Sequence, residues 1–176
     1  MAAAAAADGS GAGPSSPGGA AQLLARGAPR PSGSGLSPDA AAAVRRALRE
    51  LFRLHPVVNL QDIRGHLAGY NNPGSTARQG AALGDDALHE VVVGGGEFAA
   101  LQRAYATRPA PKDPAGELRA VILDLLAERS TVRKSDIMAA AKAANASFAE
   151  SHYGKIMREL CRNAAGVWTT KTGIGG

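Results

Sequence analysis

Aromatic residues and cysteine are scarce in this 176-residue chain, which holds one Trp, three Tyr, three Phe and one Cys. The single cysteine, Cys161, excludes an internal disulfide framework and is typical of proteins from a reducing compartment. The four histidines form no close cluster with it, so we expect no structural zinc and no other cofactor. No apolar run approaches the length of a membrane span, and we expect no membrane partner.

Small residues dominate the N-terminal segment. Residues 1–35 are almost all Ala, Gly, Pro and Ser, and Leu23 and Leu24 are the only larger aliphatic side chains after Met1. Such a segment buries too little apolar surface to offset the entropy lost when its backbone is ordered. The first basic residue is Arg26, which does not fit a secretory or mitochondrial leader. We therefore predict a disordered arm over residues 1–36.

Positive charge is in mild excess. The formal net charge is +5, and residues 109–176 hold ten basic and seven acidic side chains, against eight and seven in residues 37–108. This balance permits nucleic acid as a neighbour without requiring it.

One apolar pattern occurs twice. The spacing i, i+4, i+7, i+8 is followed by two sets of residues: Val44, Leu48, Leu51 and Phe52, and then Leu118, Ile122, Leu125 and Leu126. This spacing predicts one buried face of an amphipathic helix. Ser37-Pro38 and Asp113-Pro114 each supply a capping oxygen followed by proline, so we predict that the two helices begin there.

The residues after these two helices also correspond. A β-branched pair, Val57-Val58 or Thr131-Val132, predicts a short strand before a second helix. A third helix is predicted to end at Gly94–Gly96 in the first copy and at Gly166 in the second, each time before one extended segment. Residues 68–84 predict a longer loop between the second and third helices of the first copy.

Helix, short strand, helix, helix and strand is the order of a winged helix, a helix-turn-helix variant closed by a small sheet. We therefore predict a mainly α fold with small β wings, in which two tandem winged-helix units follow the arm. The predicted bounds are residues 37–107 for the first unit, 108–111 for a linker and 112–173 for the second unit.

Phe98 and Trp168 are predicted to open the terminal strands and to seal the two small cores. Loss of one large buried side chain costs about 3 kcal/mol or more, so we expect Trp168→Ala to unfold the second unit and to leave the first largely intact. The full predicted core consists of Val44, Leu48, Leu51, Phe52, Ile63, Leu88, Val91, Phe98, Leu118, Ile122, Leu125, Leu126, Ile137, Tyr153, Ile156, Met157, Leu160 and Trp168.

Four short segments carry a resemblance to a known family. They are Val132-Arg133-Lys134 after a Leu/Ile-rich helix, Cys161 near the end of a later helix, Gly166-Val167-Trp168, and Lys171 to Gly173. In this order they resemble the C-terminal tandem winged-helix extension of the fifth specific subunit of DNA-directed RNA polymerase III, which belongs to a TFIIF-like peripheral heterodimer. The first copy is similar to the preceding winged helix of that extension, and the resemblance covers about residues 40–173.

The resemblance implies a non-catalytic role in transcription, in the nucleus, with other RNA polymerase III subunits as partners. The residues themselves are compatible with such a role, because His55, His66, His89 and His152 lie singly and no Ser/His/Asp or Cys/His arrangement has a plausible separation. The sequence VVVGGGEF lacks the Lys-Ser/Thr of a phosphate-binding loop. We expect no catalytic, cofactor-binding or metal residues and no small-molecule substrate, and we interpret Cys161 as a small core or boundary residue.

Basic side chains of the second copy form the candidate contact surface. The predicted nucleic-acid or docking contacts are Arg133, Lys134, His152, Lys155, Arg158, Arg162 and Lys171. Acidic residues oppose DNA binding, because Glu150 and Glu159 share the third helix of this copy, and Asp85, Asp86 and Glu90 make the third helix of the first copy acidic. We therefore prefer a protein-docking surface, with weak DNA contacts left open. The alternatives are an independent winged-helix DNA-binding regulator and, third, a protein scaffold outside transcription.

Overall fold

A computed structural model describes residues 35–72, 74–110 and 112–175, so residues 1–34 of the predicted arm lie outside the described residues. The described residues are mainly α-helical and form two small antiparallel sheets. The helices are α1 (Pro38–Leu54), α2 (Leu60–Ala68), α3 (Asp85–Val93), α4 (Gly116–Glu128), α5 (Lys134–Ala143) and α6 (Glu150–Leu160). The strands are β1 (Val57–Val58), β2 (Phe98–Ala100), β3 (Tyr105–Thr107), β4 (Thr131–Arg133), β5 (Cys161–Ala164) and β6 (Val167–Thr170).

Both halves of the described chain have the order helix, strand, helix, helix, strand, strand. The first half runs from α1 to β3 and the second from α4 to β6. The last strand of each half is central in its sheet, since the strand orders are β1-β3-β2 and β4-β6-β5. The two halves thus share one element order and one sheet topology.

The two first helices begin differently. In α1 the prediction is confirmed, because the Ser37 hydroxyl accepts a hydrogen bond from the Ala40 amide at 3.2 Å and Pro38 is the first helical residue. In the second half the predicted start is wrong, and α4 begins at Gly116. The Asp113 carboxylate accepts from the Ala115 amide at 2.9 Å. Asp113 therefore forms a local turn, and the helix begins after it.

The segment between α2 and α3 contains a 3₁₀ helix, Ala77–Ala82, where a longer loop was predicted. This helix packs on α1 and α2. Gly80 is buried, and a Cβ at this position would lie 2.8 Å from the Val44 side chain and 2.9 Å from that of Leu67. The small residues that predicted a loop permit this close approach.

Each half ends in a β-hairpin, whereas one extended segment was predicted. Gly94 is the C-terminal cap of α3, as predicted, but α6 ends at Leu160 and the chain continues directly into β5. Ala165 and Gly166 have φ values of 50° and 79° and form the turn between β5 and β6. Gly166 is thus a hairpin residue, since two successive positive φ angles are what a tight two-residue hairpin turn requires.

Strand pairing also corrects the predicted equivalence of Phe98 and Trp168. Val132 pairs with Trp168, and its equivalent in the first half, Val58, pairs with Tyr105. Tyr105 is therefore the counterpart of Trp168. Phe98 lies in the neighbouring strand and stacks on Phe52, with ring centroids 4.4 Å apart.

The two halves share packing through the first sheet. One face of this sheet, with Val58, Phe98 and Tyr105, belongs to a core formed with α1, α2 and α3. The other face belongs to a second core formed with α4, α5 and α6, and it consists of Val57, Ala99 and Ala106. Successive residues of a strand point to opposite faces, so the first sheet lies between the two cores.

The predicted core residues are buried except for Leu125 and Trp168, which are half-buried at the edge of the second core. Burial of Leu125 was predicted from the apolar stripe of its helix, and burial of Trp168 from its place at the start of the terminal strand. The helix α4 is instead covered from two sides, and Leu123 and Arg119 are buried in addition to Leu118, Ile122 and Leu126.

Candidate nucleic-acid and protein-docking surface

The helix α6 separates apolar from basic side chains. Tyr153, Ile156, Met157 and Leu160 are buried, whereas Ser151, Lys155 and Arg158 are exposed at the spacing i, i+4, i+7. Gly154 lies beside this exposed face, and a Cβ built there would meet no atom within 4 Å. The helix therefore presents Lys155 and Arg158 one turn apart above a backbone that is open at Gly154.

Lys134, the first residue of α5, is held within the second half. Its Nζ lies 2.8 Å from the Glu150 carboxylate and 5.5 Å from the centroid of the Tyr153 ring. Tyr153 in turn contacts the Trp168 ring edge to face, with centroids 6.3 Å apart. The positive charge of Lys134 is thus partly neutralised by Glu150.

Lys171 acts as a helix cap. Its Nζ donates to the carbonyl oxygens of Arg158 at 2.8 Å and Glu159 at 2.9 Å, which are among the last residues of α6. A cation at this end of a helix satisfies unpaired carbonyls and interacts favourably with the helix dipole. Lys171 therefore supports α6, which carries the exposed basic residues.

His152 and Lys155 line a small pocket beside an ion pair in which the arginine is buried and the carboxylate is half-buried. Arg119, which is 8% exposed, donates from Nη2 to the Glu159 carboxylate at 2.7 Å and from Nε to the Thr107 carbonyl at 3.1 Å. His152 is half-buried on the same pocket wall. Arg119 thus ties α4 to α6 and to the end of β3. The sequence did not predict this role, because the partners of Arg119 are 12 and 40 residues away in the chain and only the fold brings them together.

Arg133 and Arg162 lie on the open face of the second sheet. In the strand register, Arg133 pairs with Val167 and Arg162 pairs with Thr169. Since Val167 and Thr169 are two residues apart on β6, both arginines are on one face. Both are exposed, and Arg162 donates to the Gly175 carbonyl at 3.2 Å.

The seven predicted contact residues therefore fall into two groups. Lys134 and Lys171 bind groups within the second half, and His152 is half-buried. The other four are exposed, and in the part of the chain that the structure describes no carboxylate lies within 4.0 Å of their side-chain nitrogens: Arg133, Lys155, Arg158 and Arg162.

The equivalent helix of the first half has the opposite charge. Asp86 and Glu90 are exposed on α3, and Asp85 pairs with Arg64, which also donates to the carbonyls of Ala81 and Leu83. Burial raises the pKa of Tyr105, with a smaller contribution from Asp85. The two third helices thus occupy equivalent places in the two halves but cannot both attract a polyanion.

Cys161 begins β5 and is buried. Burial raises the pKa of its thiol to about 12, although the nearby Lys171 acts in the opposite direction. The thiolate, which is the nucleophilic form, is therefore strongly disfavoured near neutral pH.

Two features are absent from residues 35–72, 74–110 and 112–175. These ranges contain no group of three or more His, Cys, Asp or Glu side chains that could hold a metal ion. Within the same ranges no helix has the length and apolar character needed to cross a bilayer.

No protein-family model matches this chain, and no curated protein is significantly similar to it.

Proposed function

We propose that this chain is a non-catalytic module of the RNA polymerase III transcription machinery in the nucleus. Its two halves act as winged-helix units that dock other polymerase subunits, and contact with DNA is secondary. The observation that carries the proposal is the doubled order of helix, strand, helix, helix and hairpin with the last strand central in both sheets. This is the element order of a winged helix, and the residues that resemble the polymerase subunit lie within it.

Docking to protein is favoured over DNA binding by the distribution of charge. Lys134 and Lys171 are engaged within the second half, and α3 presents Asp86 and Glu90 to solvent. A helix inserted into the major groove cannot present exposed carboxylates to phosphates without repulsion. The first half is therefore better suited to bind a protein than to bind DNA.

Affinity purification of the tagged full chain from nuclear extract, followed by mass spectrometry, tests the proposal. We expect enrichment of RNA polymerase III subunits over a control purification with the tag alone. Recovery of the chain only as a free monomer would contradict the proposal.

A second candidate function, an independent DNA-binding regulator, is favoured by one observation. Lys155 and Arg158 are exposed one turn apart on α6. This candidate requires a mobility shift with duplex DNA at low salt that Lys155→Glu with Arg158→Glu abolishes and that salt weakens steeply. Absence of any shift at low salt would eliminate it.

A further inference from the structure

A groove lies on the first half of the chain, at the C-terminal end of α1. Its volume is about 680 Å³, and its walls are α1, the segment 95–98 and the segment 107–110. The stacked rings of Phe52 and Phe98 contribute its apolar floor, and Pro109 extends it. None of the seven basic residues of the candidate surface contributes to this groove.

Arginines form the rim of the groove. Arg49 holds the Glu97 carboxylate through Nε and Nη2, with N–O distances of 2.7 to 3.1 Å. Arg53 and Arg108 are exposed on the rim, and among the described residues no carboxylate lies within 4.0 Å of either. The rim therefore carries three guanidinium groups and one carboxylate, which is paired with Arg49, and an acidic ligand would complement the remaining positive charge.

The glycines before β2 shape one wall of the groove. Gly96 has a φ of 70°, and a Cβ at Gly95 would lie 2.7 Å from Cδ of the Arg45 side chain. Larger side chains at these two positions would strain the turn or displace Arg45. The predicted turn at the end of α3 thus also leaves positions 95 and 96 of this wall without side chains.

We propose that this groove binds an acidic peptide segment of a partner protein. The segment inserts an aliphatic or aromatic side chain against Phe52 and Phe98 and places carboxylates on Arg53 and Arg108. The Arg49–Glu97 pair shows within the protein the fork geometry by which guanidinium groups bind carboxylates. This proposal goes beyond the proposed function, because it requires no polymerase subunit.

A peptide fits the groove better than a nucleic acid does. Single-stranded nucleic acids bind through bases that stack on exposed aromatic faces. Phe52 and Phe98 are 7% and 2% exposed and stack on each other, so little ring surface is open to a base. The floor has room for the end of an apolar peptide side chain, and the arginines at the rim can donate hydrogen bonds to peptide carboxylates.

Selection from a displayed library of random peptides, each of roughly twelve residues, tests the proposal with the purified full chain. The wild type is compared with the double variant Arg53→Glu, Arg108→Glu. The control is Lys155→Glu, Arg158→Glu, which reverses two exposed charges on α6. Thermal unfolding curves of all three proteins establish that the variants are folded.

We expect the wild type and the control to enrich peptides that combine Asp or Glu with Leu, Ile or Phe. In fluorescence anisotropy, the best peptide should bind the groove variant at least about tenfold more weakly and the control within about twofold of the wild type. Replacement of the apolar peptide residue by Ser should weaken binding by a similar factor.

Three outcomes would overturn the proposal. The first is no enrichment by the wild type, and the second is enrichment of the same peptides by the groove variant. The third is displacement of the peptide by single-stranded RNA that binds more tightly and depends on the same arginines, which would assign the groove to nucleic acid. Failure of the polymerase purification would leave this selection unaffected, so the two proposals are tested separately.

Discussion

The two sheets in the described part of the chain have the same strand order but different surroundings. In the first sheet, Val57, Ala99 and Ala106 pack against the core that contains α4. In the second sheet, the equivalent face carries Thr131 and Arg162 and is exposed. The same strand order thus forms a buried layer in the first half and a surface layer in the second. Whether a strand position tolerates a polar residue therefore depends on what packs against its sheet.

The largest expected effect separates Val57 from its equivalent, Thr131. Val57→Asp places an unpaired carboxylate between the two cores, and such a charge costs several kcal/mol. We expect this variant to be unfolded at room temperature by circular dichroism. Thr131→Asp, at an exposed position, should change the free energy of unfolding by about 1 kcal/mol or less. Equal losses in the two variants would mean that the sheets are equivalent after all.

Trp168 and its counterpart Tyr105 give the next comparison. Tyr105 is buried and its hydroxyl lies 2.9 Å from His89 Nδ1, whereas Trp168 is half-buried. We expect losses of about 3 to 4 kcal/mol for Tyr105→Ala and about 2 to 3 kcal/mol for Trp168→Ala, measured by urea unfolding. Trp168 thus contributes at the edge of its core and does not seal it.

Trp168→Ala also tests whether the halves unfold together. The sequence predicts loss of the second half alone, but the second core includes residues of the first sheet. We therefore expect one cooperative transition at a lower temperature. A surviving fraction of helical signal that melts at the wild-type temperature would show that the first half is stable without the second.

The smallest effects concern two glycines of opposite expected sign. Gly80→Ala introduces a Cβ less than 3 Å from Val44 and Leu67, so we expect a loss of about 1 to 3 kcal/mol. Gly154→Ala meets no neighbouring atom within 4 Å in a helix interior, so we expect a gain of about 0.5 to 1 kcal/mol. Differential scanning calorimetry distinguishes the signs, and a destabilising Gly154→Ala would contradict the open backbone described for α6.

Local sequence patterns predicted the helices better than the strands. The apolar residues of α1 and α4 repeat at helical spacing, and the Ser37 cap follows from local chemistry alone. The strand β5 was missed because Cys161–Ala164 contains no β-branched residue and follows a helix without a break. Its extended conformation depends on pairing with β6, which the residue types of the strand itself do not indicate.

The candidate site was predictable in composition but not in arrangement. All seven basic residues are visible in the sequence, yet the carbonyls that Lys171 caps and the ring that Lys134 covers are brought to them by the fold. The groove was missed for the same reason, because Phe52 and Phe98 are far apart in the chain and meet only when β2 packs on α1.

The first sheet, which lies between two cores, encodes its register by residue size. Sheets with one solvent-exposed face are held in register by the alternation of polar and apolar residues. Here both faces are packed against a core. The strands β2 and β3 place the rings of Phe98 and Tyr105 toward one core and the methyl groups of Ala99 and Ala106 toward the other. A slip of either strand by one residue would turn its ring toward α4 and leave a void on the side of α1, so the difference in side-chain volume excludes the wrong pairing.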